Sequence, residues 1–155
     1  VGTVRFDIDD DNLIITARHE PGDEVVITKD FQLLINGQAV RLDSRQQALT
    51  KEFYELTFQV RHEAKAIAYE GVKLGLKGAK LGVSAVGGLL KMFFTGYDEE
   101  QFEFEMEQKA EQLEMEGEVL EERAEMVEEL TERWEEVGEE LVESVPQLSE
   151  MKWLR

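Results

Sequence analysis

The sequence contains no cysteine, only two prolines and only two histidines in 155 residues. Without cysteine, disulfides and thiolate metal sites are excluded, and cysteine usage leaves the compartment open. With proline only at Pro21 and Pro146, the stretch between them has no obligatory helix break. Positive charge is also scarce. Seventeen lysines and arginines stand against 35 aspartates and glutamates, a net charge of −18, which argues against nucleic acid as a partner. No run of about 18 residues is both apolar and uncharged. The nearest approach, Leu81 to Leu90, ends at Lys91 and is too short to span a membrane. The chain opens at Val1 rather than methionine, as expected of a processed or trimmed chain, so the lack of a leader does not indicate a cytoplasmic protein.

What charge there is lies unevenly. Val1 to Tyr97 carries 13 acids and 12 bases, whereas Asp98 to Arg155 carries 22 acids and 5 bases, a net of −17. The second half reads as a solvated, glutamate-rich helix.

Residues 1–42 read as strands. Val4, Phe6 and Ile8 alternate with polar residues, as do Leu13, Ile15 and Ala17, and Asp9-Asp10-Asp11-Asn12 between them is a polar turn. Pro21-Gly22 is a second turn and Glu24 to Thr28 a third strand. From Phe31 to Leu42 the pair Asn36-Gly37 predicts a type I′ hairpin, because both residues tolerate positive φ. The register then sets Ile35 against Gln38, Leu33 against Val40 and Phe31 against Leu42. The result is a small antiparallel sheet of four or five strands.

Asp43 and Gln46 have the spacing of a capping box. A helix is expected from about Ser44 to Phe94, roughly 50 residues and about 75 Å long, with Gly87-Gly88 as its weakest point. Thr95-Gly96-Tyr97 is the reversal. Asp98 with Gln101 is a second capping box, and a second long helix runs to about Ser144. Pro146 stops or kinks it, and Gln147 to Leu154 is expected as one short terminal helix.

The first helix carries a stripe of small residues: Ala64, Ala68, Gly71, Gly75, Gly78, Gly82 and Ala85, at alternating gaps of four and three. That rhythm places them on one helix face. Each interior glycine costs roughly 1 kcal/mol relative to alanine, which a closely packed second backbone would offset. The second helix repeats small residues every seven positions, at Ala110, Gly117, Ala124, Thr131 and Gly138, with Leu113, Leu120, Val127, Trp134 and Leu141 beside them. Folding back at Gly96 pairs residues whose numbers sum to about 191 or 192: Gly82 with Ala110, Gly75 with Gly117, Ala68 with Ala124, Ala64 with Val127 and Thr57 with Trp134. These form the expected helix-packing interface.

The first helix has apolar residues beyond that interface. Val83, Val86, Leu90 and Phe93 belong to a further stripe that one partner helix does not cover. They are expected to contact a second copy of the chain or a lipid surface. The lysines interrupting this region and the densely acidic partner helix make close packing within the hairpin the first reading of the glycine stripe, and reversible lipid contact the second.

Chemistry-bearing patterns are weak. Asp7, Asp9 and Asp11 match the first positions of a calcium loop, but Asn12 replaces the glycine and Arg18 stands where the bidentate glutamate belongs. An ordinary acidic turn fits better. His19 and His62 lack metal-ligand spacing and read as surface residues. Ser44, Ser84, Ser144 and Ser149 lack a nucleophile-elbow context. No glycine-rich phosphate loop or Glu-x-x-His motif is present. No catalytic, cofactor or metal residues are therefore assigned, and enzymatic activity is not expected.

The pattern Phe31-x-Leu33-x-Ile35-Asn36-Gly37-x-x-Val40-x-Leu42, followed by Gln46-Gln47-x-Leu49 and then Tyr54, Val60, Ala68 and Gly71, resembles the YggN-like family of bacterial envelope proteins. The resemblance covers about residues 12–75. It implies a secreted, periplasmic protein of unassigned function, with an envelope protein as a further partner. The cysteines that members often carry near their mature ends are absent, so no disulfide is carried over. Taken together, the reading is an α+β chain: an antiparallel sheet over 1–42, then a long antiparallel helical hairpin with a short C-terminal helix over 43–155.

Overall fold

The computed structural model describes residues 4–19, 22–73 and 117–155. Five strands, β1 (Val4–Asp9), β2 (Asn12–Ala17), β3 (Glu24–Ile27), β4 (Leu33–Ile35) and β5 (Gln38–Ala39), precede the helices α1 (Ser44–Lys73), α2 (Gly117–Ser144) and α3 (Pro146–Ser149) and a 3-10 turn at Lys152–Leu154. The chain is α+β, as expected. It divides into two compact units, Val1–Phe58 with Arg133–Arg155, and Gln59–Glu132.

In the first unit the strands pair antiparallel in chain order, β1-β2-β3-β4-β5. Tight turns make that order possible. Asp10 and Asp11, at φ 47° and 64°, form a two-residue turn closed by the Asp9–Asn12 pair. Asn36 and Gly37, at φ 51° and 79°, form the expected turn between β4 and β5. Its register sets Ile35 against Gln38, and the Val40 N–H donates to the Leu33 carbonyl at 2.8 Å. Asn36 also braces the preceding strand: its Oδ1 accepts from the Glu24 N–H at 2.8 Å, and its Nδ2 donates to Asp23 Oδ1 at 2.9 Å.

Phe31 departs from the expectation. It is not a strand residue but turns at φ 63°, with its N–H donating to the Thr28 carbonyl at 2.8 Å. The β3–β4 connection takes up the positions through Gln32, so β4 begins at Leu33. The Phe31 ring instead meets Tyr54 of α1 edge-on, with centroids 5.3 Å apart, and its carbonyl accepts from Gln47 Nε2 at 2.7 Å.

Alternation gives the sheet one buried face, carried by Val4 and Phe6, Leu13 and Ile15, Val25 and Ile27, and Leu33. Leu49 and Phe53 of α1, Trp134, Val137 and Leu141 of α2, and Val145, Leu148 and Met151 complete the core of this unit. Each large side chain withdrawn from water contributes roughly 1.5–3 kcal/mol. Helix α1 starts with a reciprocal capping box: the Asp43 N–H donates to Gln46 Oε1 and the Gln46 N–H to Asp43 Oδ1, both at 2.8 Å.

Two further expectations change. The single terminal helix over 147–154 is instead two short pieces. Pro146 takes the first turn of α3, where its missing N–H costs nothing, and the chain leaves the helix at Met151, with extended ψ of 102°, before the 3-10 turn. The third strand ends at Ile27 rather than Thr28. The reversal at Thr95-Gly96-Tyr97, the weak point at Gly87-Gly88 and the second capping box at Asp98 and Gln101 lie outside the described residues.

In the second unit, Val60, Ala64 and Ile67 of α1 and Ala124 and Val127 of α2 are buried. Arg123 Nε lies 3.6 Å from Glu63 Oε2.

Candidate functional site

The expected site is the packing between the two long helices, and the structure describes it best in the first unit. The spacing of Phe53 and Thr57, one helical turn apart, brings both to the face that meets α2. Trp134 and Gly138 have the same spacing on α2. Trp134 Nε1 donates to Thr57 Oγ1 at 2.8 Å, and both residues are buried, at 4% and 0% exposure. Thr57 Oγ1 in turn donates to the Phe53 carbonyl at 2.6 Å. The Phe53 and Trp134 rings stack with centroids 5.8 Å apart and an interplanar angle of 13°. Phe6 of β1 closes on them from the sheet, 5.4 Å from Trp134 and 6.5 Å from Phe53. A β-carbon on Gly138 would lie 3.0 Å from Phe53 Cε2. The absent side chain therefore makes the room that the ring occupies.

The pairs Thr57–Trp134 and Phe53–Gly138 both sum to 191, within the expected register. Gln46 Nε2 adds a third link by donating to the Ser144 carbonyl at 2.7 Å, which satisfies a terminal acceptor of α2. Polar contacts at the rim follow the same antiparallel course. Arg133 Nη2 donates to Glu52 Oε1 at 2.8 Å, and Arg45 lies 3.8 Å from Glu140. The Glu52 hydrogen bond, more than its charge, holds the Arg133 guanidinium above its ordinary pKa.

The remaining expected interface residues are placed as follows. Ala64 and Ala124 are buried, at 0% and 6% exposure, within the second unit. Ala68 and Gly71 belong to α1 and Gly117 to α2. Gly75, Gly78, Gly82 and Ala110 lie outside the described residues, as do Val83, Val86, Leu90 and Phe93.

Heptad reading identified the Thr57–Trp134 pair but missed Phe6 and Phe53 as its neighbours. The aromatic character of Phe6, on the inward positions of β1, was the available signal. In the sequence it figures only as one of the alternating residues of a strand. Tyr54 figures in the sequence only through the family resemblance, which says nothing of its contact. Its hydroxyl donates to the Asp11 carbonyl and ties the β1–β2 turn to α1. Desolvation first, and the Asp11 charge second, raise its pKa above the ordinary phenol value.

His19 and His62 are exposed, as expected. Among the described residues, no group of three or more His, Cys, Asp or Glu side chains could hold a metal ion. No described helix is long and apolar enough to cross a membrane. On the outer face of α2, Glu135, Glu139 and Glu143 in the first unit and Glu125, Glu128, Glu129 and Glu132 in the second are exposed. No protein-family model, curated protein or solved structure matches the chain.

Proposed function

We propose that the chain is a non-enzymatic structural or interaction protein of the cell envelope. It works through its pair of long helices, with the sheet as their foundation and a second copy of the chain as the first partner. The observation that carries this reading is the Trp134–Thr57 hydrogen bond inside the Phe6–Phe53–Trp134 cluster. It clasps α1 to α2 in one register and seats both on the sheet. Helices fastened to each other in one register are suited to presenting contacts rather than to enclosing a substrate. The exposed glutamates of α2 keep its outer face in water and favour a basic or mixed-charge partner surface. The envelope location rests on the family resemblance alone. Self-association rests on the apolar stripe of Val83, Val86, Leu90 and Phe93.

Light scattering on the full chain at tens of micromolar tests the reading, with Leu90→Glu as the companion variant. An oligomer in the native chain that Leu90→Glu dissociates supports it. A monomer in both overturns self-association through the helices. Binding of that monomer to anionic phospholipid vesicles would then replace the proposal with the lipid-contact reading.

A further inference from the structure

Only two asparagines occur in the chain, Asn12 and Asn36, and only Asn36 precedes a glycine. That pair is chemically labile as well as turn-forming. The backbone nitrogen of a following residue can attack the side-chain carbonyl carbon of asparagine, and glycine, having no side chain, hinders the approach least. Leu13 after Asn12 hinders it far more. Asn36 and Gly37 are both exposed, and a β-carbon on Gly37 would have nothing within 4 Å, so water reaches this bond.

The fold holds the reacting atoms apart. With φ of 51° and 79°, Asn36 and Gly37 form a type I′ turn, in which ψ of the first residue is about 30°. At that ψ the Gly37 nitrogen lies across the Cα–C bond from the Asn36 β-carbon, whereas ring closure needs the two on the same side. The side chain is pinned as well. Asn36 Oδ1 accepts from the Glu24 N–H at 2.8 Å, Nδ2 donates to Asp23 Oδ1 at 2.9 Å, and the Asn36 N–H donates to the Glu24 carbonyl at 2.8 Å. Asn36 is thus fixed to the start of β3, and the movable side of the bond is Gly37 with β5. That strand is two exposed residues, held to β4 by the Leu34–Ala39 and Ile35–Gln38 pairs and, one residue on, by the Val40 N–H at the Leu33 carbonyl. Few buried contacts make a segment open readily.

We infer that Asn36 is a self-modification site, which the closed hairpin protects and the peeling of β5 releases. When Gly37 swings round the Cα–C bond of Asn36, its nitrogen forms a bond to Asn36 Cγ. The Cγ–Nδ2 bond breaks, and ammonia leaves with the proton of the Gly37 amide. Water then opens the resulting succinimide at one of its two carbonyls, giving aspartate or isoaspartate. Neither product restores the hairpin. An aspartate has no N–H to give to Asp23 and sets a second negative charge beside it. An isoaspartate routes the backbone through the side chain and lengthens it by one methylene, so the loop no longer brings Ile35 opposite Gln38. The change runs one way, and the hairpin keeps a chemical trace of having opened. The inference stands whether or not the long helices associate.

Peptide mass spectrometry of the full chain, incubated in mildly alkaline buffer, tests the inference. Asn36 should convert at least tenfold more slowly in the folded chain than in the same chain in guanidinium chloride, where Asn12 should stay intact over the same period. Val40→Pro removes the hydrogen bond to Leu33 and leaves the contacts of Asn36 in place. It should speed conversion in the folded chain severalfold. Asn36→Asp, which reproduces one product, should lower the melting temperature, and adding Asp23→Asn should recover part of the loss by returning an N–H donor to the pair. Four results would overturn the inference: Asn36 converting as fast folded as in guanidinium chloride, no conversion in guanidinium chloride, a folded Val40→Pro chain that converts no faster than the parent, or Asn36→Asp as stable as the parent. Should Val40→Pro not fold, the comparison with guanidinium chloride decides by itself.

Discussion

Trp134 gives its indole N–H to Thr57 at 2.8 Å, and the same threonine hydroxyl gives its own proton to the Phe53 carbonyl at 2.6 Å. One buried oxygen thus links the second helix to the backbone of the first. Thr57→Val keeps the shape and removes both bonds. It should lower stability by about 1–3 kcal/mol, the range for breaking a buried hydrogen-bonded contact. Trp134→Phe in the same background should cost less than in the native chain, because the partner has already gone. Urea unfolding of the four chains measures the coupling. Strictly additive losses would mean that the bond contributes nothing of its own.

Gly138 is a test of close approach. Alanine normally improves a helix interior by about 1 kcal/mol over glycine. Here the new β-carbon would meet the Phe53 ring at 3.0 Å, and that ring packs against Trp134 and Phe6. Gly138→Ala should therefore fail to stabilise and should lose about 0.5–1 kcal/mol, with Gly138→Leu losing at least about 2. A higher melting temperature for the alanine variant would show that the ring yields freely.

Tyr54 predicts behaviour at alkaline pH. A phenol whose pKa is raised in the folded state holds its proton more tightly there than in the unfolded chain. Its contribution is complete below the unfolded value of about 10 and is lost as pH rises through the higher folded value. In a near-ultraviolet titration of phenolate, one of the three tyrosines should ionise late. Tyr54→Phe should remove that late step. An unchanged curve would assign it to another tyrosine.

The glutamates of α2 predict a response to salt. Glu125 and Glu129, Glu128 and Glu132, Glu135 and Glu139, and Glu139 and Glu143 are exposed like-charge pairs four residues apart, each costing about 0.2–0.5 kcal/mol at low ionic strength. The screening length shrinks from about 30 Å at 0.01 M to about 8 Å at 0.15 M, so the melting temperature should rise over this range. A fall would mean that ion pairs such as Arg133–Glu52 and Arg123–Glu63 outweigh the repulsion.

The parts of this fold that were legible in the sequence are those encoded by neighbours. Asn36-Gly37 and the Asp43–Gln46 capping box depend on residues within four positions of each other. The period-two alternation of β1 and β2 needs only a solvent side and a core side. Phe31 shows the limit. Its place in an alternating run suggested a strand, but a left-handed turn closed by the Thr28 carbonyl takes precedence. The split after Pro146 has the same character: periodicity does not reveal that the chain turns extended at Met151. At the candidate site, heptad arithmetic reached Thr57 and Trp134 because helix geometry is regular over long distances. It carried no information on the sheet, so Phe6, which meets that pair from β1, could not be derived from it.

The chain-order pairing of the strands has a consequence for biogenesis. Every ladder contact joins segments adjacent in sequence, so the sheet and the start of α1 can assemble as soon as they leave the ribosome. Trp134, by contrast, reaches Thr57 across 77 positions, and Ser144 reaches Gln46 across 98. Until that return, Phe6 and Phe53 lack the Trp134 ring beside them. Exposed apolar surface of this kind makes nascent chains prone to aggregate. A chain terminated before Arg133 would therefore emerge as a finished ladder with an uncovered apolar side: a client for chaperones and proteases rather than a small stable domain.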